Sequence, residues 1–477
     1  MDLKENLMST KAVLDQMQLI VGRRGIVKDS DTAPYLQDER GHYFGKAALI
    51  LKPASVEECS QIISMANKFG VGVIPQGGNT GYCGGATPFD SKKQIILNLS
   101  RMNNLREFDE VNSTMTVEAG AVLSTVHALA EKHDLIFPLS MGSKDTCQIG
   151  GVLSTNGGGI SVLRYGSARN LVLGLEAVLP NGEVLSDLNG LRKDNTGYDL
   201  GGLFVGAEGT LGLITAAVLK LYPKPHNREV AIFGVTSTQS ACDFLGRAER
   251  LSDGRIVSAE YISRESLNMV LANIPGTLDP FDKTLQHMLL VELATSEIDT
   301  DLRKILEQLF EEGVISKELI TGVIAESGQQ ETAFWKLRES IPEAERREGG
   351  SVKHDISVRI SQVPEFLDKA KKLLDNFIPH RLSVFGHIGD GNIHFNLLPP
   401  LGVELGVFKD EFAHELTEKV HDLSVQLGGS FSAEHGVGIL KRDELLKYKS
   451  RVSINLMRTI KRAIDPNNIM NPGKVIE

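Results

Sequence analysis

The chain contains 477 residues, a length that predicts two or three domains with ample buried surface. Its formal net charge of −10 at pH 7 argues against nucleic acid or an anionic membrane as the main partner, so an anionic ligand would need local cations. The four cysteines form no C-x-x-C pair, which indicates neither a disulfide framework nor a cysteine zinc site. Acidic residues near the N-terminus and the lack of an apolar run of about 18 residues predict a cytoplasmic protein without signal peptide, transit peptide or membrane span.

The N-terminal part alternates predicted helices and short strands. Apolar spacing predicts a helix over 7–21 and a strand over 47–51. Ser55, followed three residues later by Glu58, is typical of a capping box and begins a second helix. A strand over 71–75 follows this helix directly.

Four glycine-rich segments come after strand-like residues. The first, 76–85, has five glycines in ten residues and exposes successive backbone N–H groups, as a bound diphosphate requires. Its spacing matches neither G-x-G-x-x-G nor the P-loop, which argues against both of those nucleotide sites. The others are 140–143, 149–159 and 206–215. Any one alone could be a flexible turn, but their recurrence favours a binding site.

The later chain changes in composition. Strands over 114–119 and 173–179, the second followed by a turn at 180–183, predict a mixed first domain that ends near Pro223 and Pro225. Strands then alternate with amphipathic helices up to about residue 440.

The stretch 385–396 predicts a β-hairpin that carries paired histidines. Asp390 and Gly391 suit a two-residue type I′ turn, which places His387 opposite His394. Facing imidazoles have Cβ atoms roughly 5 Å apart, close enough to share a metal ion. The alternative is a pair of surface histidines.

Glu434 would complete a set of two histidines and one carboxylate that leaves a coordination position open. His435 shares such a site only if the backbone turns, which Gly436 and Gly438 permit. A solvated loop is the alternative structure. The same ligand set also defines non-haem iron oxygenases, but that hypothesis leaves the glycine-rich segments unexplained.

Several motifs resemble the FAD domain of the vanillyl-alcohol-oxidase superfamily, and its FAD-linked D-2-hydroxy acid dehydrogenase branch in particular. The resemblance covers nearly the whole chain. The motifs are Pro75–Gly81, Gln148–Gly151, Arg192–Leu200, Gly209–Gly212, Gly386–His394 and Ala433–Gly436.

The resemblance implies an α+β fold. A PCMH-type FAD-binding domain is expected over 1–225, and an antiparallel-sheet substrate domain with the metal site over 226–440. A C-terminal helical segment over 441–477 is expected to return to the FAD domain.

The resemblance also implies a noncovalent FAD, because Asn79 and Thr80 stand where covalent attachment would need a histidine; Cys147 is the alternative attachment point. The implied FAD-binding residues are Pro75, Gly77, Gly78, Asn79, Thr80, Gly81, Gly84, Gly85, Ser140, Gly142, Ser143, Ile149, Gly150, Gly151, Thr155, Asn156, Gly158, Gly159, Glu208, Gly209, Gly212, Ile214 and Asn471.

In the family, zinc or another divalent transition metal is held by residues matching His387, His394 and Glu434. The resemblance implies Arg338 as a bidentate carboxylate anchor and Lys353 as a second cation. Asn396 is a further candidate for a hydrogen bond to the substrate. His435 is the candidate substrate-binding general base, since an unperturbed pKa of about 6.5 suits neutral operation, and a structural histidine is the alternative.

The implied reaction is the oxidation of a D-2-hydroxy acid, with proton removal by His435 and hydride transfer to flavin N5. Two cations and a metal exceed what one monocarboxylate requires, so charge counting favours D-2-hydroxyglutarate, giving 2-oxoglutarate. D-lactate and D-malate are the alternatives. Some relatives carry a hydroxyl residue four positions after the arginine; here this position is Pro342, and Ser340 is the candidate replacement.

The electron acceptor stays open between an electron-transfer flavoprotein, a quinone and a cytochrome, and a homodimer is the assembly considered. A flavin-binding relay subunit without its own catalysis is the rival hypothesis. It would bind FAD without being reduced by any 2-hydroxy acid.

Overall fold

The computed structural model describes residues 9–89 and 93–476. These residues divide into two compact units. The first unit takes the described residues of Met1–Gly159, Gly166–Lys224 and Glu434–Glu477, and the second takes Ile160–Tyr165 and Pro225–Ala433. The second unit therefore ends at Ala433 rather than at the expected residue 440.

The helices, in chain order, are α1 Thr10–Val21, α2 Ala33–Leu36, α3 Val56–Phe69, α4 Leu123–Glu131, α5 Ile149–Ser154, α6 Val162–Tyr165, α7 Thr238–Leu251, α8 Arg264–Asn273, α9 Leu302–Ile315, α10 Gly328–Glu339, α11 Ile341–Arg347, α12 Val363–Asp375, α13 Leu405–Gln426, α14 Arg442–Tyr448 and α15 Arg451–Ile464.

The strands, in chain order, are β1 Leu49–Leu51, β2 Gly72–Gln76, β3 Gln94–Asn98, β4 Leu105–Asp109, β5 Thr114–Glu118, β6 Leu135–Ile136, β7 Val172–Val178, β8 Val184–Asp187, β9 Leu213–Lys220, β10 Tyr222–Pro223, β11 Asn227–Val235, β12 Ile256–Ser263, β13 His287–Thr295, β14 Leu319–Ile324, β15 Asp355–Ser357, β16 Arg381–Gly386 and β17 Asn392–Leu398.

The first unit combines a parallel sheet in the order β1-β3-β2 with an antiparallel sheet in the order β4-β5-β9-β7-β8. Ile50 and Ile74 both lie in register with Ile96, and the three side chains form one buried apolar row. The C-terminal segment extends this sheet, because the N–H of Val73 donates to the carbonyl of Ile469 and the N–H of Asn471 donates back to Val73.

The second unit is built on an antiparallel sheet in the order β14-β11-β13-β12-β16-β17-β15. Alternate residues of β11 enter different cores: Phe233 packs in the cluster that includes α7, α9 and α12, whereas Ile232 packs in the cluster that includes α8, α10 and α11. Because helices cover both faces, β11 from Val230 to Val235 is buried at every position and carries no polar side chain, rather than alternating.

The structure contains the two helices that the sequence predicted at the N-terminal end, but the predicted capping box of the second is incomplete. The first helix starts at Thr10, where the hydroxyl of Ser9 accepts the N–H of Ala12; residues 7 and 8 of the predicted range lie outside the described residues. Ser55 caps α3 as predicted, since its hydroxyl accepts the N–H of Glu58. The carboxylate of Glu58 accepts the N–H of Ala54 instead of that of Ser55, so the capping box is only half formed.

The predicted register of the histidine hairpin is wrong by two residues. His394 lies opposite Phe385, and Asn396 lies opposite Ser383. The connection runs over 387–391, because the N–H of Asp390 bonds to the carbonyl of His387 and Gly389 donates to Ala259 on β12. Gly391 has a positive φ of 81°, but Asp390 does not, so a two-residue type I′ turn cannot form.

Among the described helices, none combines the length and the apolar content needed to cross a bilayer.

Candidate active site

A cavity of about 300 Å³ lies in the first unit, between the glycine-rich loops. It falls at the lower end of the range of small-molecule sites, which is about 300–1,000 Å³. The predicted FAD-binding residues that line it are Pro75, Gly77, Gly78, Asn79, Thr80, Gly81, Gly85, Gly142, Ser143, Gly150, Gly151, Thr155, Gly158, Glu208, Gly209 and Ile214.

The loops approach each other so closely that side chains are excluded at particular positions. A Cβ atom on Gly78 would lie 2.0 Å from the carbonyl oxygen of Thr146, so only glycine fits there. At Gly81, Gly142 and Gly151, by contrast, a Cβ would meet no atom within 4 Å. The backbone at these three glycines faces open space and leaves room for a ligand to approach it.

Gln148 adds a polar group to the cavity wall. Its side-chain oxygen is buried and, among the described residues, has no hydrogen-bond partner. A buried acceptor without a donor costs free energy, so this oxygen suits a ligand that brings an N–H group. Together with the open glycine backbone, it fits a cofactor with a diphosphate and a heterocycle, as FAD has.

Seven predicted FAD-binding residues are not among those that line the cavity: Gly84, Ser140, Ile149, Asn156, Gly159, Gly212 and Asn471. Two of them hold the loops instead. The side-chain oxygen of Asn156 accepts the N–H of Arg169, and the amide of Asn471 donates to the carbonyls of Gly85 and Glu208.

Sequence reasoning missed several residues of the cavity wall. Most lie in or beside the glycine-rich segments, so their position in the chain was a usable signal, but Leu99 and Ala119 carry no such signal. The missed residues are Gln76, Tyr82, Cys83, Ala86, Leu99, Ala119, Met141, Gln148, Val152, Ser154, Gly157 and Leu213.

Cys147, the alternative attachment point for the flavin, lines the same cavity. Its thiol is buried, and burial raises its pKa above the ordinary value. The thiol is therefore protonated at neutral pH, which disfavours it as a nucleophile.

The loop that carries Glu434 and His435 also lines the cavity. Gly436 and Gly438 have positive φ angles of 75° and 52°, so the backbone turns where the sequence predicted that it could. The imidazole of His435 meets the ring of Tyr82 edge-on, with centroids 5.0 Å apart.

Glu208 holds this loop in place. Its carboxylate accepts the N–H of Val437 at 2.7 Å and that of Gly438 at 2.8 Å. Burial raises the pKa of Glu208, and the two N–H donors oppose that rise. A Cβ on Gly438 would lie 2.1 Å from the carbonyl oxygen of Cys83, so the loop packs too closely there for any side chain.

The second unit contains the two histidines of the predicted metal site. The rings of His387 and His394 have centroids 5.7 Å apart and planes at 74°. Although the register differs from the predicted one, His387 directly follows the last residue of β16 and its ring lies against that of His394. The imidazoles therefore remain neighbours.

Glu260 on β12 joins His387 to Arg338. One carboxylate oxygen lies 2.5 Å from Nδ1 of His387, and the other accepts Nε–H of Arg338 at 2.6 Å. Burial alone would raise the pKa of Glu260, but Arg338 and His387 outweigh it and hold the pKa at about 2. The carboxylate is thus ionised, and Nδ1 of His387 donates to it.

Glu345 is the centre of a second group of polar contacts in the same unit. It is fully buried and accepts the side-chain amide of Asn396 at 2.9 Å, and its carboxylate lies 3.6 Å from Nζ of Lys353. The side-chain oxygen of Asn396 accepts the N–H of His354. Sequence reasoning missed both Glu260 and Glu345; a single glutamate within the apolar strand 256–263 was the available signal for the first.

These two glutamates correct the charge-counting argument. Arg338 is paired with Glu260, and Lys353, with its side chain 34% exposed, lies next to Glu345. The cations therefore have partners of opposite charge within the protein. An excess of positive charge does not by itself select a dicarboxylate.

Pro342, the departure from the family pattern, begins a helix. It lies in the first turn of α11, where its fixed φ is compatible with a helix and its missing N–H is not needed. Ser340 is the C-cap of α10 and directly precedes α11. Its N–H donates to the carbonyl of Lys336.

Known families match both parts of the chain. A family model described as FAD binding domain matches residues 47–187, and one described as FAD linked oxidases, C-terminal domain, matches residues 224–475. With the glycine-lined cavity, these matches define an FAD-dependent oxidoreductase, which sets aside the iron oxygenase and the noncatalytic relay.

Three relatives narrow the class. The chain is 35% identical to D-2-hydroxyglutarate dehydrogenase, mitochondrial, of Arabidopsis thaliana, over 96% of this chain and 80% of that protein. It is 34% identical to D-2-hydroxyglutarate dehydrogenase of Xanthomonas citri pv. viticola, over 98% of each. A protein of Schizosaccharomyces pombe named "Putative D-lactate dehydrogenase" is 36% identical over 95% of this chain and 86% of its own. The chain belongs to the family of FAD-linked oxidases that includes the D-2-hydroxyglutarate dehydrogenases.

Solved structures confirm the predicted fold. p-Cresol methylhydroxylase matches with a TM-score of 0.74 at 17% identity, over 99% of this chain and 98% of that one. Alkyldihydroxyacetonephosphate synthase matches with a TM-score of 0.73 at 18% identity, over 98% and 85%. At this identity the likeness concerns the fold alone, an α+β architecture with a PCMH-type FAD-binding domain.

Proposed function

We propose that the protein oxidises a D-2-hydroxy acid, with D-2-hydroxyglutarate as the main substrate and 2-oxoglutarate as the product. The observation that supports this most is the bridge in which Glu260 binds both Arg338 and His387. It sets a carboxylate anchor beside a metal-type histidine pair, which is the chemistry that a 2-hydroxy acid needs.

FAD, held without a covalent bond, supplies the two-electron oxidant when bound. The open backbone at Gly81, Gly142 and Gly151 suits its diphosphate, and the side-chain oxygen of Gln148 suits an N–H of its heterocycle. The protonated thiol of Cys147 supports noncovalent binding.

We assign a divalent metal, zinc in the first place, to His387, His394 and Glu434; it supplies Lewis acidity toward the 2-hydroxyl when bound. The carboxylate of Glu260 keeps Nε2 of His387 available as a ligand. Ala433, the residue before Glu434, donates its N–H to Asp355, which lies in register with His394.

The chain's own residues complete the reaction. His435 accepts the proton of the 2-hydroxyl, on a loop that Glu208 fixes at the cavity wall. Arg338 binds a carboxylate with its terminal nitrogens, because Nε is used by Glu260. Lys353 and Asn396, both at Glu345, provide polar groups for the other end of the substrate.

D-Lactate and D-malate are the alternative substrates. The named S. pombe relative favours D-lactate, and the internal partners of both cations weaken the charge argument against it. Two relatives named as D-2-hydroxyglutarate dehydrogenases favour the dicarboxylate.

The test is anaerobic reduction of the bound flavin by D-2-hydroxyglutarate, D-malate and D-lactate, followed by visible absorption. We expect a yellow protein that D-2-hydroxyglutarate bleaches with the highest kcat/KM. A higher kcat/KM with D-lactate would replace the dicarboxylate assignment, and a flavin that no 2-hydroxy acid bleaches would contradict the proposed function.

The electron acceptor and the cellular location complete the proposal. We keep an electron-transfer flavoprotein, a quinone and a cytochrome as acceptors, and a homodimer as the assembly. The cytoplasmic location stays a prediction, since the A. thaliana relative is named as mitochondrial and the X. citri relative is not.

A further inference from the structure

We propose that Glu260 is the positioning residue of the substrate site, which fixes the metal-binding tautomer of His387 and the orientation of the Arg338 guanidinium at the same time. This inference rests on the proposed function, because it takes His387 as a metal ligand and Arg338 as a carboxylate anchor. It adds a residue that touches neither substrate nor metal.

The place of Glu260 in the sheet supports this role. β12 lies between β13 and β16, and Glu260 is fully buried in it. One carboxylate oxygen is shared by Nδ1 of His387 and the hydroxyl of Ser258, at 2.5 and 3.2 Å, and the other accepts Nε–H of Arg338 at 2.6 Å. His387 and Arg338 therefore bind different oxygens of the Glu260 carboxylate.

The bond to His387 decides which ring nitrogen can bind a metal. A carboxylate that is paired with a guanidinium only accepts hydrogen bonds, so Nδ1 of His387, 2.5 Å from it, must carry a proton. Nε2 is then the ring nitrogen that would bind a metal. Metal-binding histidines in proteins are usually oriented in this way by a carboxylate or a carbonyl.

The bond to Arg338 decides the plane of the guanidinium. The group lies 4.7 Å from the centroid of the Phe385 ring, and its Nε–H is directed at Glu260. These two contacts lie in different directions and together fix the orientation of the planar guanidinium. The terminal nitrogens keep the fork geometry that a bidentate carboxylate bond requires.

Glu260→Gln separates these two roles because an amide offers one acceptor and one donor. If its oxygen faces His387, its NH₂ group opposes Nε–H of Arg338. If it turns over, the NH₂ group donates to Nδ1 of His387, and the imidazole proton moves to Nε2, which blocks the metal ligand. Either arrangement damages one of the two functions.

Glu292→Gln is the matched control. Glu292 lies on the neighbouring strand β13, is buried, and accepts the indole N–H of Trp335 at 2.8 Å. Trp335 belongs to α10, the helix that also carries Arg338. The control therefore removes a buried carboxylate bound to the same helix without touching His387 or Arg338.

The experiment measures zinc affinity by competition with a chromophoric chelator, and flavin reduction by D-2-hydroxyglutarate, in the FAD-loaded full chain. For Glu260→Gln we expect a 10–100-fold loss of zinc affinity, the usual cost of losing such a partner, or a comparable rise in KM, with neither change in Glu292→Gln. Zinc affinity and KM within twofold of those of the Glu292→Gln control would overturn the inference.

A second variant keeps the test valid if Glu260→Gln does not fold. Glu260→Gln leaves the buried guanidinium without its counter-charge, so Glu260→Met/Arg338→Met removes both charges together with the acceptor for His387, and Arg338→Met alone serves as its reference. We expect the double variant to bind zinc 10–100-fold more weakly than Arg338→Met. Equal affinities would overturn the histidine role.

The outcomes also separate this inference from the proposed function. If the wild type is fully active without metal, the proposed metal is wrong, and the role of Glu260 is then judged by KM alone. If the wild type needs zinc but Glu260→Gln binds zinc and substrate normally, only the inference about Glu260 fails.

Discussion

Glu208 accepts the backbone N–H of Val437 at 2.7 Å and so connects the glycine-rich segment 206–215 to the loop of His435. Replacing Glu208 by glutamine keeps one acceptor and sets an NH₂ group against the other donor, Gly438 or Val437. A buried N–H group left without an acceptor costs about 1–3 kcal/mol, so the loop should open more often. We expect faster amide hydrogen exchange at both residues and slower flavin reduction, with FAD still bound.

Glu118→Gln is the control for this variant, because Glu118 is also buried in the first unit and accepts the backbone N–H of Asn104. Exchange at Val437 that is equal in the two variants would show that Glu208 does not hold the loop.

Removal of a metal ligand should separate metal binding from flavin binding. His387 lies in the second unit, whereas the glycine-lined cavity lies in the first. We expect His387→Ala to lose zinc and most turnover while its visible flavin spectrum and FAD content stay normal. Zinc is measured by elemental analysis after dialysis.

His287→Ala is a suitable control, since His287 lies on β13 of the same sheet and bonds to the hydroxyl of Tyr261. Full turnover in zinc-free His387→Ala would contradict the metal assignment.

His435→Ala tests the general base. We expect it to retain zinc and FAD but to reduce its flavin about 10²–10⁴-fold more slowly at saturating substrate, which is the usual contribution of a general base. Tyr82→Phe, which keeps the ring in contact with His435, should change the rate little. A defect confined to KM would make His435 a substrate anchor.

Lys353→Met tests substrate selectivity. Loss of this cation should lower kcat/KM for D-2-hydroxyglutarate more than for D-lactate, and we expect the ratio to fall about tenfold, equivalent to about 1.4 kcal/mol. Lys336→Met on α10 is the control, because Lys336 is partly exposed and donates to the carbonyl of Pro275. An unchanged ratio would remove Lys353 from the specificity site.

Lys474 should give the protein a characteristic pH dependence of stability. It is fully buried, its ammonium donates to the carbonyl of Thr87, and burial, with a smaller effect of Arg442, lowers its pKa to about 7. The unfolded chain binds this proton up to about pH 10.4, so the free energy of unfolding should rise with pH between those values. Below pH 7 both states are protonated and this contribution is constant.

Lys474→Met should lack that rise. Denaturant unfolding from pH 6 to 10 should show the stability of the wild type increasing relative to Lys474→Met by at least about 1.4 kcal/mol, the equivalent of one pKa unit. Lys372→Met, on the exposed side of α12, should follow the wild type. Parallel curves for wild type and Lys474→Met would contradict the assignment.

The sequence predicted local features better than contacts between distant segments. Glycine-rich loops and the capping role of Ser55 depend on neighbouring residues, and both were predicted. The register of the histidine hairpin was wrong because Gly389 bonds to Ala259, some 130 residues earlier in the chain.

The two glutamates that organise the substrate unit could not be predicted for the same reason. Glu260 acquires its role only when β12 and β16 pair and bring His387 beside it. Counting Arg338 and Lys353 as unneutralised charges was wrong because the glutamates beside them come from other elements.

The edge of β2 has a consequence for biosynthesis. Val73 exchanges hydrogen bonds with Ile469 and Asn471, about 400 residues further along the chain. While the ribosome is still adding those last residues, the parallel sheet lacks a neighbour and Val73 has no backbone partner there. The second unit, by contrast, is almost continuous in sequence and has all its strands by Leu398. We therefore expect it to become protease-resistant on stalled nascent chains before the first unit does, so that the part of the protein translated first is the part that finishes folding last.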